Sequence, residues 1–330
     1  MPQPSYPFAA TRVRSRENSI LKHDQLVRIN DAGTAAAAME MLTEYGFVTN
    51  TELLPEDFEK AISDELDRAY SFVEEITPEK QVTDLFFLKF DYHNLKVILK
   101  NEHKGTGASV KSLINRGTID PREMYDSIKD KRYTSFPPEM REALTAIEKR
   151  FSIKPDISYI SFALDAAYAK EVTRRAAATK DKNVIEFYRC IFTMNNVTAV
   201  LRLKRAGADR EVYAQCLTEG GETDMFSLLH TYDMAEDEAM AYLARGSRGR
   251  DIAAAYDHYR QTGSMALFKK AEDDALIRLA TEGRDDMFSV APVLAYLILK
   301  AKEAEAVRLI MVGKLNGVSA ETVSSLLPDM

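Results

Sequence analysis

The chain has 330 residues, 45% hydrophobic and 29% charged, more than one hydrophobic core fills and with the balance of a folded protein. Its formal net charge of −7 excludes a general nucleic-acid binder, which needs a basic surface to displace counterions. No apolar run reaches the ~18–20 residues that cross a bilayer, and the opening MPQPSYPFAATRVRSRE lacks the apolar stretch of a signal peptide, so a cytoplasmic protein is expected.

Glycine is scarce, at 14 residues, and it falls mostly between apolar-periodic segments together with proline, which favours long helices over strands. In segment 55–77 the residues Phe58, Ala61, Ile62, Leu66, Ala69, Val73 and Ile76 recur at steps of three and four. That spacing predicts an amphipathic helix, with Pro55 in its first turn. Thr77-Pro78 reads as the cap and first residue of the next helix, running through FFLKFDYHNLKVILK to about Glu102. The same order returns in 157–179 and 182–206, where LDAAY echoes the earlier LDRAY, and again in 264–282 and 289–314. Cys190 and Cys216, the two cysteines, fall inside such segments and are expected to be free thiols in a reducing compartment.

Three lines of text carry the repetition: FDYHNLKVILK at 90–100, FTMNNVTAVLR at 192–202 and KEAEAVRLIMVGK at 302–314. Asn94 matches Asn196, while Glu303 stands opposite Asp91, Ala306 opposite Asn94 and Arg308 opposite Lys96. A glycine and a cap residue follow each line, with Gly117, Gly207 and Gly317 expected to end the long helices. Asp120, Asp209 and Ser319 are the matching caps, and Asp120-Pro121-Arg122-Glu123 is the best formed of them. The expectation is an all-α protein of three related modules, 1–132, 133–232 and 233–330, with 55–130, 157–219 and 264–327 superposing.

The motifs that could carry chemistry fail on spacing. Gly105 to Ser112 imitates a phosphate-binding loop, but Val110 replaces its second glycine and a helix precedes it. A connection between helices, capped by Ser109, is the expectation there. The triplets Glu236-Asp237-Glu238 and Glu272-Asp273-Asp274 lack metal-site spacing and read as solvated helix starts. None of His23, His93, His103, His230 and His258 falls at metal-ligand spacing, and no nucleophile motif is present. No catalytic residue, metal ligand or cofactor site is therefore expected. Two readings stay open for the basic loop holding Arg245, Arg248 and Arg250: a clamp for a phosphate or acidic partner, or a solvated turn. Arg12, Arg14 and Arg16 are spaced by two, which spreads them around a helix. Asp91 and Asn94, one turn apart, suit a tie from the long helix to a neighbouring backbone, and Lys96 suits a pair with an acid.

These residues resemble one family, the central-stalk C subunits of V-type ATPases and archaeal-type ATP synthases, whose eukaryotic members are called d subunits. The likeness covers nearly the whole chain. It rests on Tyr6 with Arg12 and Arg14, on Phe90 to Lys96, and on the ending that holds Tyr296, Glu303, Arg308, Gly313 and Lys314. Two departures stand out: Thr193 where the family pattern tends to an acid, and Ala306 where it tends to asparagine. The resemblance implies a three-module helical funnel on the cytoplasmic face of the proteolipid ring, present in one copy, monomeric when isolated and without an active site. It would receive the central shaft made of the D and F subunits, turn with the rotor, and reach the membrane only through the ring. Candidate partner contacts are Arg245, Arg248, Arg250, Arg12 and Arg14. Asp91, Asn94, Lys96, Asn196, Glu303 and Arg308 are read as scaffold. The alternatives are a helical-repeat adaptor binding a peptide or helix, against which the ~100-residue modules argue, and an all-helical enzyme.

Overall fold

The computed structural model describes residues 5–106 and 109–330, and among them are sixteen α-helices and no strand. In chain order, α1 (Tyr6–Glu17), α2 (His23–Asp31), α3 (Ala35–Glu44) and α4 (Phe58–Ile76) come first. Then follow α5 (Lys80–Lys104), α6 (Pro121–Lys129), α7 (Pro138–Ile153), α8 (Ile157–Thr179), α9 (Lys182–Ala206), α10 (Arg210–Cys216), α11 (Met225–His230) and α12 (Glu236–Leu243). The last four are α13 (Gly249–Thr262), α14 (Met265–Glu282), α15 (Ala291–Leu315) and α16 (Ala320–Ser324). The chain is therefore all-α, as its periodicity predicts.

The helices divide into two compact units. One combines Met1–Pro78 with Arg250–Met330, and the other is Glu79–Gly249. In the first unit, α15 is the spine and packs against α4, α14 and α1. Leu26, Ile29, Leu42 and Ile62 from the N-terminal stretch share a core with Val307 and Ile310 of α15. In the second unit, α8 lies along α5 and α7, and Leu95, Ile98, Met140, Leu144 and Leu164 fill the core between them. The stripe expected on α4 is buried, apart from half-buried Leu66.

Helix starts follow the sequence where a short polar side chain can accept from an unpaired N–H. The Asp120 carboxylate accepts from Arg122 and Glu123 N–H at 2.8 and 3.1 Å, Asp209 from Val212 at 2.9 Å, and Ser319 from Thr322 at 3.3 Å. Four expectations need correcting. Thr77 ends α4 instead of opening α5, and its hydroxyl donates back to the Val73 carbonyl at 2.7 Å. The proline after it disfavours helical backbone at 77, and α5 begins only at Lys80. Gly105, not Gly117, ends the first long helix. Gly105, Gly207 and Gly317 have φ of 70°, 60° and 69°, the left-handed backbone that lets a helix stop without a Cβ clash. Each lies eleven residues beyond Asn94, Asn196 and Ala306 respectively.

Glu272-Asp273-Asp274 lies in the middle of α14 and is not a helix start. Glu272 and Asp274 are buried, and Lys302 reaches Asp273 at 2.8 Å while Lys270 reaches Asp274 at 2.7 Å. Glu236 to Glu238 do form the first turn of α12. Of the segment 105–112, Gly107, Ala108 and the Lys111 side chain lie outside the described residues. Val110–Ser112 is a single 3₁₀ turn, and Ser112 donates to the Ser109 carbonyl at 2.7 Å in place of a side-chain cap from Ser109. Both cysteines are free, Cys190 buried and Cys216 half-buried.

Because α15 is the spine of its unit, Ile310→Ala, at a fully buried position, is expected to cost about 2–5 kcal/mol in urea unfolding. Val312→Ala, at an exposed position of the same helix, should stay within about 0.5 kcal/mol.

Candidate functional site

Two asparagines on the long helices make the same unusual bond pair. Asn94 donates to the Ile114 carbonyl at 2.8 Å and accepts the Ile114 N–H at 2.9 Å. Asn196 donates to the Thr218 carbonyl at 2.8 Å and accepts the Thr218 N–H at 2.9 Å. Asparagine suits this because its amide carries a donor and an acceptor side by side, so it meets an extended residue as another strand would. One turn earlier, Asp91 accepts the Thr118 N–H and hydroxyl on one oxygen and the Ile119 N–H on the other, at 2.7 to 3.1 Å. Burial raises the Asp91 pKa despite those bonds.

Backbone must approach closely here, and glycine permits it. A Cβ added to Gly117 would fall on the Asp91 carboxylate oxygen. Gly221 lies against Thr193 less tightly, where a Cβ would sit 3.1 Å from the Thr193 nitrogen. Thr193 performs the task of Asp91 with a neutral oxygen, its hydroxyl accepting the Glu222 N–H at 2.9 Å.

The third long helix carries a different arrangement. Lys300, 2% exposed, donates to both Glu65 and Glu303, the latter at 2.8 Å, and to the Ser19 carbonyl at 3.3 Å. Glu303 accepts the Leu21 N–H at 2.7 Å on its other oxygen. Glu65 is also held by Arg68, whose guanidinium reaches the Phe47 carbonyl at 2.8 Å. Burial pushes the Glu303 carboxyl up to about 7. Burial alone would lower the Lys300 pKa, but Glu303 and Glu65 hold it above its ordinary value.

The departure at Ala306 has a structural reason. Asn196 clamps the residue twenty-two positions further on, and twenty-two positions after Ala306 stands Pro328. Proline has no N–H for an asparagine to accept. Ala306 and Pro328 instead line one cavity of about 220 Å³, and the Pro328 carbonyl accepts from His23 Nδ1 at 3.0 Å.

Cations further along the long helices serve as ties. Lys96 pairs with Asp165 on α8, and Arg308 pairs with Glu59 on α4 at 2.6 Å. Lys204 donates to the carbonyls of Tyr232 and Met234, and Lys314 to those of Asn30 and Ala32. Burial lowers the pKa of both lysines. Of the candidate partner arginines, Arg245 and Arg248 belong to one unit and Arg12, Arg14 and Arg250 to the other. Arg248 is bound to Glu186 at 2.9 Å, in a loop where Ser247 and Gly246 rest on Glu222. Arg245 stacks on Tyr242 at 5.1 Å, and Arg250 is exposed. Arg12 and Arg16 both lie over the Phe72 ring, at 5.7 and 4.8 Å, and Arg14 reaches Asp285 at 3.1 Å.

A family model described as ATP synthase (C/AC39) subunit matches residues 9–326. The chain belongs to that family. It is similar to the A-type ATP synthase C subunit of Methanocaldococcus jannaschii, at 24% identity over 98% of this chain and 86% of that protein. The A-type ATP synthase C subunit of Halorubrum lacusprofundi is 27% identical over 73% and 72% of the two chains. The V-type sodium ATPase C subunit of Enterococcus hirae is 19% identical over 94% of both. The chain is thus a subunit of a rotary ATPase. No helix among its described residues is long and apolar enough to cross a membrane.

Of the residues that tie this fold together, Asp91, Asn94, Lys96, Asn196, Glu303 and Arg308 were visible in the sequence. Lys300 and Glu65 were missed, as were Lys204 and the backbone-binding role of Lys314. For the last two a signal existed, since each lies eight residues beyond the asparagine position of its helix.

Gly117→Ala should cost about 1–3 kcal/mol in denaturant unfolding, because the new methyl must displace a carboxylate already bonded to backbone. The pH dependence has a defined sign. A raised Glu303 pKa stabilises the fold below the ordinary carboxylate range and loses that contribution as pH rises through about 7. Lys300, Glu65, Arg68 and Tyr296 form its charged and titratable surroundings. Between pH 8 and pH 5 the parent should therefore gain stability relative to Glu303→Gln, measured as the difference between their urea midpoints.

Proposed function

We propose that this chain is a non-catalytic rotor subunit, linking the central shaft of D and F subunits to the proteolipid ring and transmitting torque during proton or sodium transport. The observation that carries this reading is the family match across almost the entire chain. The internal chemistry supports it. The motif acids and most of the marked cations bind each other or backbone, which suits a body that must transmit force without deforming. On this reading the subunit lies on the cytoplasmic face of the membrane, in one copy, with no nucleic-acid partner and no cofactor, and is a monomer when isolated.

The threefold modular organisation belongs to the same proposal. Its support is the glycine stop after all three long helices, the asparagine clamp shared by α5 and α9, and the carbonyl-binding lysine shared by α9 and α15. The partner contacts proposed are the exposed guanidinium groups of Arg245 and Arg250, with Arg12 and Arg14. Arg248, being tied to Glu186, contributes by shaping the loop that presents its neighbours.

The deciding experiment removes this subunit from the assembled complex. ATP hydrolysis by the soluble sector should persist while ion movement stops, and a normal ion-to-ATP ratio without the subunit would refute the coupling role. Within the complex, replacing Arg245 and Arg250 together by alanine should weaken assembly and flatten its dependence on salt, because screenable attraction has been removed. Unchanged assembly and unchanged salt dependence would exclude these two residues as contacts.

A further inference from the structure

Each of the three long helices takes hold of backbone from one equivalent position, but not in the same direction along the chain. Helices α5 and α9 clamp residues that follow them, at 114 and 118 and at 218 and 222. Helix α15 carries Glu303 at the position of Asp91 and Thr193, yet its backbone partner is Leu21, at the opposite end of the sequence. Lys314 behaves likewise. Lys204 binds the carbonyls of residues 232 and 234, and Lys314 binds those of residues 30 and 32. Both pairs are separated by the same 202 positions.

The surroundings of those carbonyls match as well. Leu26 of α2 and Leu228 of α11 are also 202 apart, and both are buried. Ala38, Met39 and Leu42 of α3 recur as Ala239, Met240 and Leu243 of α12, and all six are buried. After this stretch, α4 with its LDRAY packs on α15, just as α8 with its LDAAY packs on α5. Even the spacing agrees. Three residues separate 114 from 118 and 218 from 222, and Asp329, Met330 and Ile20 would supply the same three between Pro328 and Leu21. The two ends do meet, through the His23 to Pro328 hydrogen bond of 3.0 Å.

We infer that the chain is a circularly permuted triple repeat, whose third repeat is assembled from residues 290–330 and 20–78 and is held together without a covalent link. The repeats then begin near Glu79, Asp181 and Val290, and each runs to roughly 100 residues, the module length characteristic of this triplication and far above common helical repeats. Helix α1 stands outside the repeat, packed on α15 and α4. The clasp that closes the third repeat consists of Lys300, Glu303 and Lys314 on the N-terminal backbone. This inference rests on the threefold organisation proposed above and not on the coupling role.

The test uses the isolated full-length chain. In a circular permutant, Met330 is joined to Met1 by a Gly/Ser linker of about fifteen residues, and the chain is opened between Pro78 and Glu79. It should fold with the helical circular-dichroism spectrum of the parent and a Tm within a few degrees of it, because the two parts of the third repeat then follow one another along the chain, with only the linker and α1 inserted between them. In the native order, Lys314→Met should accelerate amide exchange at least tenfold across residues 26–42, and Lys204→Met across residues 228–243. The paired exchange pattern decides the matter should the permutant fail to fold. If Lys204→Met opens 228–243 while Lys314→Met leaves 26–42 as protected as in the parent, the equivalence is wrong and the inference falls. Neither measurement involves the ATPase complex, so that failure would leave the coupling role standing.

Discussion

A buried ammonium group organises the unit that contains both ends of the polypeptide. Lys300 is almost wholly out of water, and an uncompensated charge there would cost several kcal/mol. Its compensation comes from three places: Glu65 on α4, Glu303 on its own helix, and the Ser19 carbonyl. Glu303 then passes the constraint on by accepting the Leu21 N–H. Residues 19–21, α4 and the spine helix α15 must therefore be in place together. Arg68 extends the chain of charges to the Phe47 carbonyl, so the connection between α3 and α4 is fixed by the same requirement. The unit that unites the two ends of the polypeptide is specified by electrostatic necessity as much as by its apolar core.

The second unit holds the connections after its long helices mainly with the neutral groups of Asn94, Asn196 and Thr193, beside the Asp91 carboxyl. There the long helices must hold irregular connections whose backbone groups would otherwise be unpaired. An asparagine amide answers both the N–H and the carbonyl of a single residue, and an acid or hydroxyl one turn away answers the next N–H groups. The substitutions from one long helix to another follow from what is being held. Thr193 needs only one acceptor because its partner stretch offers it the Glu222 N–H. Ala306 lacks an amide because its counterpart, Pro328, lacks a donor.

This distribution of charge suits a subunit of a rotary ATPase. Carboxylates and cations are joined in ties: Asp273 with Lys302, Asp274 with Lys270, Glu186 with Arg248. Such ties resist sliding of one helix past its neighbour, because displacement leaves a buried charge or backbone group unpaired. Among the partner candidates with exposed guanidinium groups, Arg245 lies in the connection after α12 and Arg250 in the first turn of α13.

The helices themselves were legible in the sequence. The spacing of Phe58 to Ile76, the caps at Asp120, Asp209 and Ser319, and the order of long and short segments all act within a turn or two of chain. Local text carries that information directly, and it also carried the scaffold roles of Asp91 and Asn94, whose spacing fits one helical turn. The misreadings were local competitions between signals, as when Gly117 was given the helix-ending role of Gly105. Gly117 is a glycine for a different reason: the Asp91 carboxylate occupies the space of its side chain. What only the tertiary structure decided is the partnership of groups far apart in sequence. Glu65 meets Lys300, Leu21 meets Glu303, and Asn30 meets Lys314. Whether a lysine on an amphipathic helix faces water or a carbonyl depends on which segment folds over it. No periodicity within the helix records that, because the segment lies at the other end of the chain.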